Sequence, residues 1–299
     1  MYNSILDLKS DYISWLTTGG GNSLKCSTLQ KLANVSELSA KIPLSLPDVY
    51  TKYAGYDNIV SIGRLLEDLD MLVGAVAFLH NQSHRQIHNL EIFTLALDYF
   101  QVLASLNVHE DVAVIGRVVY TGKTSLKVAA GVFKCESLGI SWELGRQLMH
   151  ALFTMVVREK VSECGMKVID LTQNQSINTF YPPEFEAVCQ SSLTNAILVQ
   201  PHMLNISNCV FGGYILRTAY DSSLASIRLL ASSGYVIKCI SGWNCLFQKR
   251  VPVGVILKFS TFISRFNDFC YIVRCIVSYD DSQCAVAHFQ FALSESAKL

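Results

Sequence analysis

Apolar residues recur at three- and four-residue steps through Leu65, Leu66, Leu69, Leu72, Val73, Val76 and Leu79, which predicts a helix over 63–80. A polar loop, 81–88, follows. β-branched and aromatic residues then mark strands at 92–100, 112–120 and 126–133, with Thr121-Gly122-Lys123-Thr124 as the turn between the last two. Residues 152–158 read as the strand that closes this sheet. From 159 to about 194 the chain is rich in Gln and Asn, with a stop at Tyr181-Pro182-Pro183, and reads as a linker. The pattern then restarts. Gly212-Gly213 precedes a helix over 214–230, which Ser232-Ser233-Gly234 ends. Strands are expected at 236–240, 255–264, 271–279 and 285–292, with Pro252, Gly254, Asn267, Asp268 and Asp280-Asp281 in the turns.

A helix followed by an antiparallel meander, stated twice, is α+β with segregated elements. The chain divides into an N-terminal extension (1–40), a first domain (41–160), a linker (161–195) and a second domain (196–299). The extension is polar and broken by Gly19-Gly20-Gly21, so partial disorder or a peripheral helix is expected there.

Composition narrows the function. The 299 residues, 51% hydrophobic, suffice for two modest cores. A net charge of +0 argues against a nucleic-acid partner, which needs a basic face, but leaves room for a small anionic ligand. The ten cysteines include no Cys-x-x-Cys pair and read as reduced thiols of an intracellular protein. No basic start leads into an apolar run, so no secretory signal is expected. Asp7, Asp11 and a first arginine only at Arg64 make a poor mitochondrial presequence, so a cytoplasmic location is expected, with a mitochondrial one as the alternative. Residues 187–216 carry no Asp, Glu, Lys or Arg, yet Gln190, Asn195, Gln200, Pro201 and Asn205 interrupt them too often for a membrane span. An uncharged, polar stretch ahead of a helix suits a buried loop that lines a site.

Three acids open the first helix. Glu67 and Asp68 suit the macrodipole, and Asp68 with Arg64 reads as a solvated surface pair. Asp70 differs, because its helical neighbours Leu66, Leu69, Val73 and Ala77 are apolar. A buried carboxylate needs either amides of a partner domain or a chemical purpose. Asn205, eight residues before Gly213, is by itself an ordinary loop residue. Gly212-Gly213 could bring a ligand close to free N–H groups, or simply form a tight turn. Gly122-Lys123-Thr124-Ser125 is not a P-loop, since the first Gly is missing and the segment joins two strands. His80, His84 and His88 run from the helix end into a loop without an acid ligand, so no metal is expected. Cys209 reads as a packing residue rather than a nucleophile.

The two halves repeat one another with complementary polar groups: the first offers a carboxylate, the second an amide. Gly63-Arg64-Leu65-Leu66-Glu67-Asp68-Leu69-Asp70, followed by Phe78-Leu79-His80-Asn81, resembles the first domain of acyl-CoA thioesterase 9-like double-hotdog enzymes. The segment from Asn205 through Phe211-Gly212-Gly213-Tyr214-Ile215-Leu216-Arg217 to Ala219-Tyr220 resembles their second domain. Phe247-Gln248-Lys249-Arg250-Val251-Pro252-Val253-Gly254 is similar to a strand-start motif of that family, with one extra residue. The resemblance spans about 41–294.

It implies tandem hotdog domains, each a central helix wrapped by a curved antiparallel sheet, paired edge to edge so that an exposed strand is covered. It implies hydrolysis of acyl-CoA to free acid and CoA, with coenzyme A as part of substrate and product and no other cofactor. The family's acid falls on Asp70 and its loop amide on Asn205. The pseudo-equivalent positions, Tyr220 and Gly55, suit neither role, which implies one active site and one decayed one. Asp221, beside Tyr220, would enter the decayed site by a one-residue shift. Gly63, Arg64, Phe211, Gly212 and Gly213 are candidates to hold the thioester, and Lys123, Lys249, Arg250 and Arg265 to meet CoA phosphates. A homo-oligomer, a trimer of double hotdogs, is also implied. The alternatives are a hotdog module that binds acyl-CoA without turnover, and, last, a dehydratase, for which only His202 lies near either motif.

Overall fold

A computed structural model describes residues 36–55, 59–82, 90–122, 124–138, 141–159, 193–205, 208–231 and 235–295. Strand β1 (Glu37–Ile42) leads into a short helix α1 (Pro47–Tyr53) and a long helix α2 (Ile62–Gln82). Four strands follow: β2 (Leu90–Val102), β3 (Val112–Thr121), β4 (Ser125–Leu138) and β5 (Ser141–Glu159). The second half repeats the order with β6 (Leu193–Leu198), a 3-10 turn (Pro201–Met203) and helix α3 (Gly212–Leu230). It closes with β7 (Tyr235–Phe247), β8 (Ile256–Arg265), β9 (Cys270–Tyr279) and β10 (Ser282–Glu295).

All ten strands form one antiparallel sheet in the order β1-β3-β4-β5-β2-β7-β10-β9-β8-β6. The first five belong to the first half and the last five to the second. They join where β2 pairs with β7, from Ala96↔Leu246 to Gln101↔Ser241. That pairing leaves neither strand as an open edge.

Each long helix packs on the strands of its own half, and the two helices pack on each other. α2 is apolar nearly all round, as suits a helix covered on most sides: Leu65, Leu66, Leu69, Leu72, Val73 and Val76 are fully buried. Ser61 caps its start, its Oγ accepting from the Arg64 N–H at 3.3 Å. α3 approaches β8 and β9 through small residues instead. Ser223 and Ser226 are buried there and donate back to the carbonyls of Ala219 and Ser222 at 2.7 and 2.9 Å.

Through the loops before the two long helices and into the helices themselves, the repeat runs at an offset of 150 residues. The loop before α2 is pinned by the bridge Ala54↔Val60, the loop before α3 by Leu204↔Val210. Within them Gly55 N donates to Ile59 O and Asn205 N to Cys209 O, both at 2.7 Å. The helices cross where Gly63 meets the Arg217 carbonyl and, reciprocally, Gly213 meets Glu67. A methyl group on Gly213 would lie 2.8 Å from the Glu67 carbonyl oxygen, closer than real side chains come.

Both long helices form where the periodicity places them. The strands run longer than expected, most of all β5, which begins at Ser141 rather than 152. The edge strands β1 and β6 and the helix α1 are additions to the sequence reading. β1 starts at Glu37 and β6 at Leu193, each a few residues ahead of the domain starts expected at 41 and 196. Asn81 and Gln82 continue α2 rather than opening a loop. Most of the expected linker and extension, as well as His84 and His88, lie outside the described residues. Among the described residues no helix is long and apolar enough to cross a membrane.

One expectation is overturned. Asp68 is not a solvated surface partner of Arg64 but is 1% exposed. The Tyr53 hydroxyl donates to its Oδ2, and Arg64 reaches Oδ1 at 3.8 Å. Helix α1 supplies Tyr53, so the covering element that the periodicity did not reveal is what buries the acid.

Candidate active site

Asp70 projects from α2 into the helix crossing and is 2% exposed. Its Oδ1 accepts a hydrogen bond from Thr94 Oγ1 at 2.5 Å. Thr94 lies on β2 beside a register shift between Thr94 and Ala96, a bulge of the kind that re-aims strand side chains. Oδ2 has no hydrogen-bond partner among the described residues. It faces the start of α3, where a methyl group on Gly212 would stand 3.1 Å away.

Burial removes water from this carboxylate and pushes its pKa up to about 6, helped by the nearby charge of Glu67 and opposed by Thr94 and the Gly213 N–H. The Gly213 amide therefore favours the charged form without completing a bond to Oδ2. An acid poised near neutral pH in a dry setting is suited to proton transfer.

The start of α3 carries no side-chain cap from its N-cap residue, Phe211, so the first N–H groups of the helix are not closed off by a side chain. The missing side chains of Gly212 and Gly213 let Asp70 and the backbone of Glu67 come close. The Phe211 ring lies against Gly213 and the Phe247 ring against Gly212.

Asn205 sits in the loop that feeds this turn. Its Oδ1 accepts from the Cys209 N–H at 3.3 Å, and Asn208 takes a left-handed φ of 54° to close the loop. Phe211 N then donates to Met203 O at 2.9 Å, fixing where α3 begins. Burial pushes the Cys209 thiol up, against the pull of Arg250, so it is not an activated nucleophile.

The structure thus gathers Asp70, Phe211, Gly212 and Gly213, with the Asn205 loop leading into them. Gly63 and Arg64 lie on the opposite side of the helix crossing, with Tyr220 and Asp221 against Gly63. Arg250 stands near the Asn205 loop but is paired with Glu91 at 3.0 Å and lies over the Phe93 ring. Lys249 is exposed, with its Nζ 4.5 Å from the centroid of the Tyr279 ring. Arg265 pairs with Asp268 at 2.5 Å in the β8–β9 turn. Lys123 lies outside the described residues. Thr94 escaped the sequence reading, since no motif carries it and only the β2 bulge aims it at Asp70.

No protein-family model matches the chain. Among curated proteins it is 24% identical to acyl-coenzyme A thioesterase 9, mitochondrial, of Mus musculus, over 76% of this chain and 63% of that one. The corresponding Homo sapiens protein is 24% identical over 76% and 62%. Acyl-coenzyme A thioesterase 4, mitochondrial, of Humulus lupulus is 30% identical over 67% and 47%. The chain therefore spans less than two thirds of the length of these relatives. Among solved structures, one described as an oleoyl thioesterase of Lactobacillus plantarum aligns with a TM-score of 0.62 at 11% identity, covering 88% of this chain and 96% of that one. The 12:0-ACP thioesterase of Umbellularia californica aligns with a TM-score of 0.58 at 10% identity, covering 89% and 99%. In sequence this chain is a homologue of acyl-coenzyme A thioesterases 9 and 10, and its fold is that of the hotdog thioesterases.

Proposed function

We propose that the chain is a tandem hotdog protein that hydrolyses acyl-CoA to free acid and CoA at one site between its two halves, residues 41–160 and 196–299. The observation that carries this reading is the buried Asp70 carboxylate, with Oδ2 unpartnered among the described residues, set against the uncapped start of α3. The names of the relatives supply the substrate class.

In this mechanism Asp70 Oδ2 takes a proton from water as the water oxygen attacks the thioester carbonyl. The oxyanion that forms is met by the Gly212 N–H at the start of α3, while the Gly213 N–H favours the charged Asp70, and Asn205 orients the water or the thioester. The carbon–sulfur bond then breaks, and the CoA thiolate leaves and takes up the proton. Direct attack by Oδ2, through an anhydride, gives the same products. Label found in Asp70 after a single turnover in ¹⁸O-labelled water establishes direct attack, with water opening the anhydride at the aspartyl carbonyl.

The test is thiol release from a panel of acyl-CoAs by wild type and Asp70→Asn. Release by wild type that the variant loses supports the assignment. Equal release by both proteins excludes Asp70. Tight binding without release across all chain lengths favours the non-catalytic module.

Assembly into a trimer of such chains is part of the same reading. Phe262, Phe266 and Phe269 are 46%, 51% and 63% exposed around the β8–β9 turn, an apolar patch that an oligomer would cover. Light scattering of the purified protein tests it. The mitochondrial names of the relatives support the mitochondrial alternative over a cytoplasmic address.

A further inference from the structure

The Gly63 side of the helix crossing holds a cavity of about 550 Å³, within the usual size range of small-molecule sites. At the offset of the repeat, Gly55 stands there for Asn205, Gly63 for Gly213 and Tyr220 for Asp70. The Tyr220 ring is 5% exposed and packs edge-on against Phe289 at 5.6 Å. It fills core where the other half keeps an acid. Asp221 does enter this site, with Oδ1 against Gly63, but Oδ2 lies 3.8 Å from Arg217 Nε and its side chain is half exposed. Gly55 brings no side-chain amide. The space of an active site is kept and its chemistry is gone.

The walls retain a character of their own. Among the described residues, four cations, Lys52, Arg64, Arg217 and Lys238, line the cavity against one carboxylate, that of Asp221. Glu67 occupies both arginines, at 2.6 Å from Arg64 and 3.1 Å from Arg217. Lys52 and Lys238 have no ion-pair partner among the described residues and are exposed at the rim. The remaining wall is apolar, from Leu106, Leu224 and Ile237. Exposed cations at a rim over an apolar floor suit a ligand with phosphates at one end and an extended, less polar arm at the other.

We propose that this cavity is a second site that binds coenzyme A or its thioester without hydrolysing it. The inference rests on the acyl-CoA reading of the Asp70 site, from which the cavity differs in side chains rather than in backbone plan.

The test is calorimetric titration of the full chain with non-hydrolysable S-alkyl-CoA thioethers. Two equivalents per chain are expected for wild type. Lys52→Glu combined with Lys238→Glu should weaken one of them by about tenfold or more, the scale of losing charged contacts to phosphate, and leave acyl-CoA hydrolysis intact. Leu224→Trp, which fills the apolar floor, should remove the same equivalent and serves if the charge-reversed protein does not fold. One equivalent in wild type overturns the second site and leaves the Asp70 reading standing. No binding at all overturns the acyl-CoA reading itself. Two unaltered equivalents in both folded variants overturn the location. Equal affinity for 3′,5′-ADP and the thioethers at this site would make it a nucleotide site and overturn the coenzyme A assignment.

Discussion

Thr94 and Asp70 are held together at 2.5 Å, hydroxyl to Oδ1, and this leaves Oδ2 facing the uncapped start of α3. The bond supports the charged form of a carboxylate whose ionisation burial disfavours. It also fixes the rotation of the group, so one oxygen is anchored while the other is presented.

Activity should therefore rise with pH through about 6 and then level off, as Asp70 loses its proton. Thr94→Val removes the donor and keeps the shape. The rising limb should move to higher pH, with Thr94→Ser restoring it. A limb that stays in place in Thr94→Val, read from kcat/KM between pH 5 and 9, would remove Thr94 from its positioning role.

The same charge acts against the fold. In the unfolded chain Asp70 loses its proton near its ordinary value of 3.8, but in the folded protein not until about 6. Across that window the folded state holds the extra proton, so this group's contribution to stability falls as pH rises. Above the window the cost is about 3 kcal/mol. Asp70→Asn removes the charge and can still accept from Thr94. It should raise Tm by several degrees at pH 7.5, with the gain shrinking towards pH 4, while hydrolysis is lost. Thermal scans at both pH values decide it, and a variant less stable than wild type at pH 7.5 would contradict the buried, uncompensated charge.

How much of this was legible depended on whether a residue's role lies in its own segment. Leu65, Leu66, Leu69 and Val73 announce α2 because most of its surface is buried, and Gly63 and Gly213 mark the two sides of the helix crossing because both helices need the missing side chain there. Asp70 stood out because its own helix surrounds it with apolar neighbours. Asp68 misled for the complementary reason: Tyr53, which buries it, comes from another element. β6 was invisible because Leu193–Leu198 shows no apolar alternation and is held by main-chain pairing to β8. Thr94 could not be found without the β2 bulge. The cavity at Tyr220 could not be found at all, since a sequence shows the substitution there but not the space around it.

Gly212 and Gly213 should answer to substitution differently. A methyl group on Gly213 would meet the main chain of Glu67 at 2.8 and 3.0 Å and the Phe211 ring at 2.6 Å. Main chain cannot turn aside, so the helices must part, at a cost of about 1–3 kcal/mol. On Gly212 the methyl group meets chiefly Asp70 Oδ2, at 3.1 Å. Gly213→Ala should lower Tm clearly, whereas Gly212→Ala should spare most of the stability and lower kcat. Denaturant unfolding and thiol-release kinetics on both variants check the contrast, and a kcat unchanged in Gly212→Ala would place the reacting atoms elsewhere.

Glu67 ties the two effects together. Its Oε2 accepts from Arg64 at 2.6 Å and from Arg217 at 3.1 Å, linking the helices, while its charge disfavours ionisation of Asp70. Glu67→Gln keeps the shape and removes the charge. With the repulsion gone, the acid limb of the rate profile should shift to lower pH, opposite to the shift expected for Thr94→Val. The two arginines lose their shared carboxylate, so stability should fall by about 1–3 kcal/mol, the range for a largely buried charge contact left half made. A double variant, Glu67→Gln with Thr94→Val, should return the limb towards its wild-type position, because the two changes act on the same carboxylate with opposite sign. Shifts of the same sign in both single variants would mean that the profile reports some group other than Asp70.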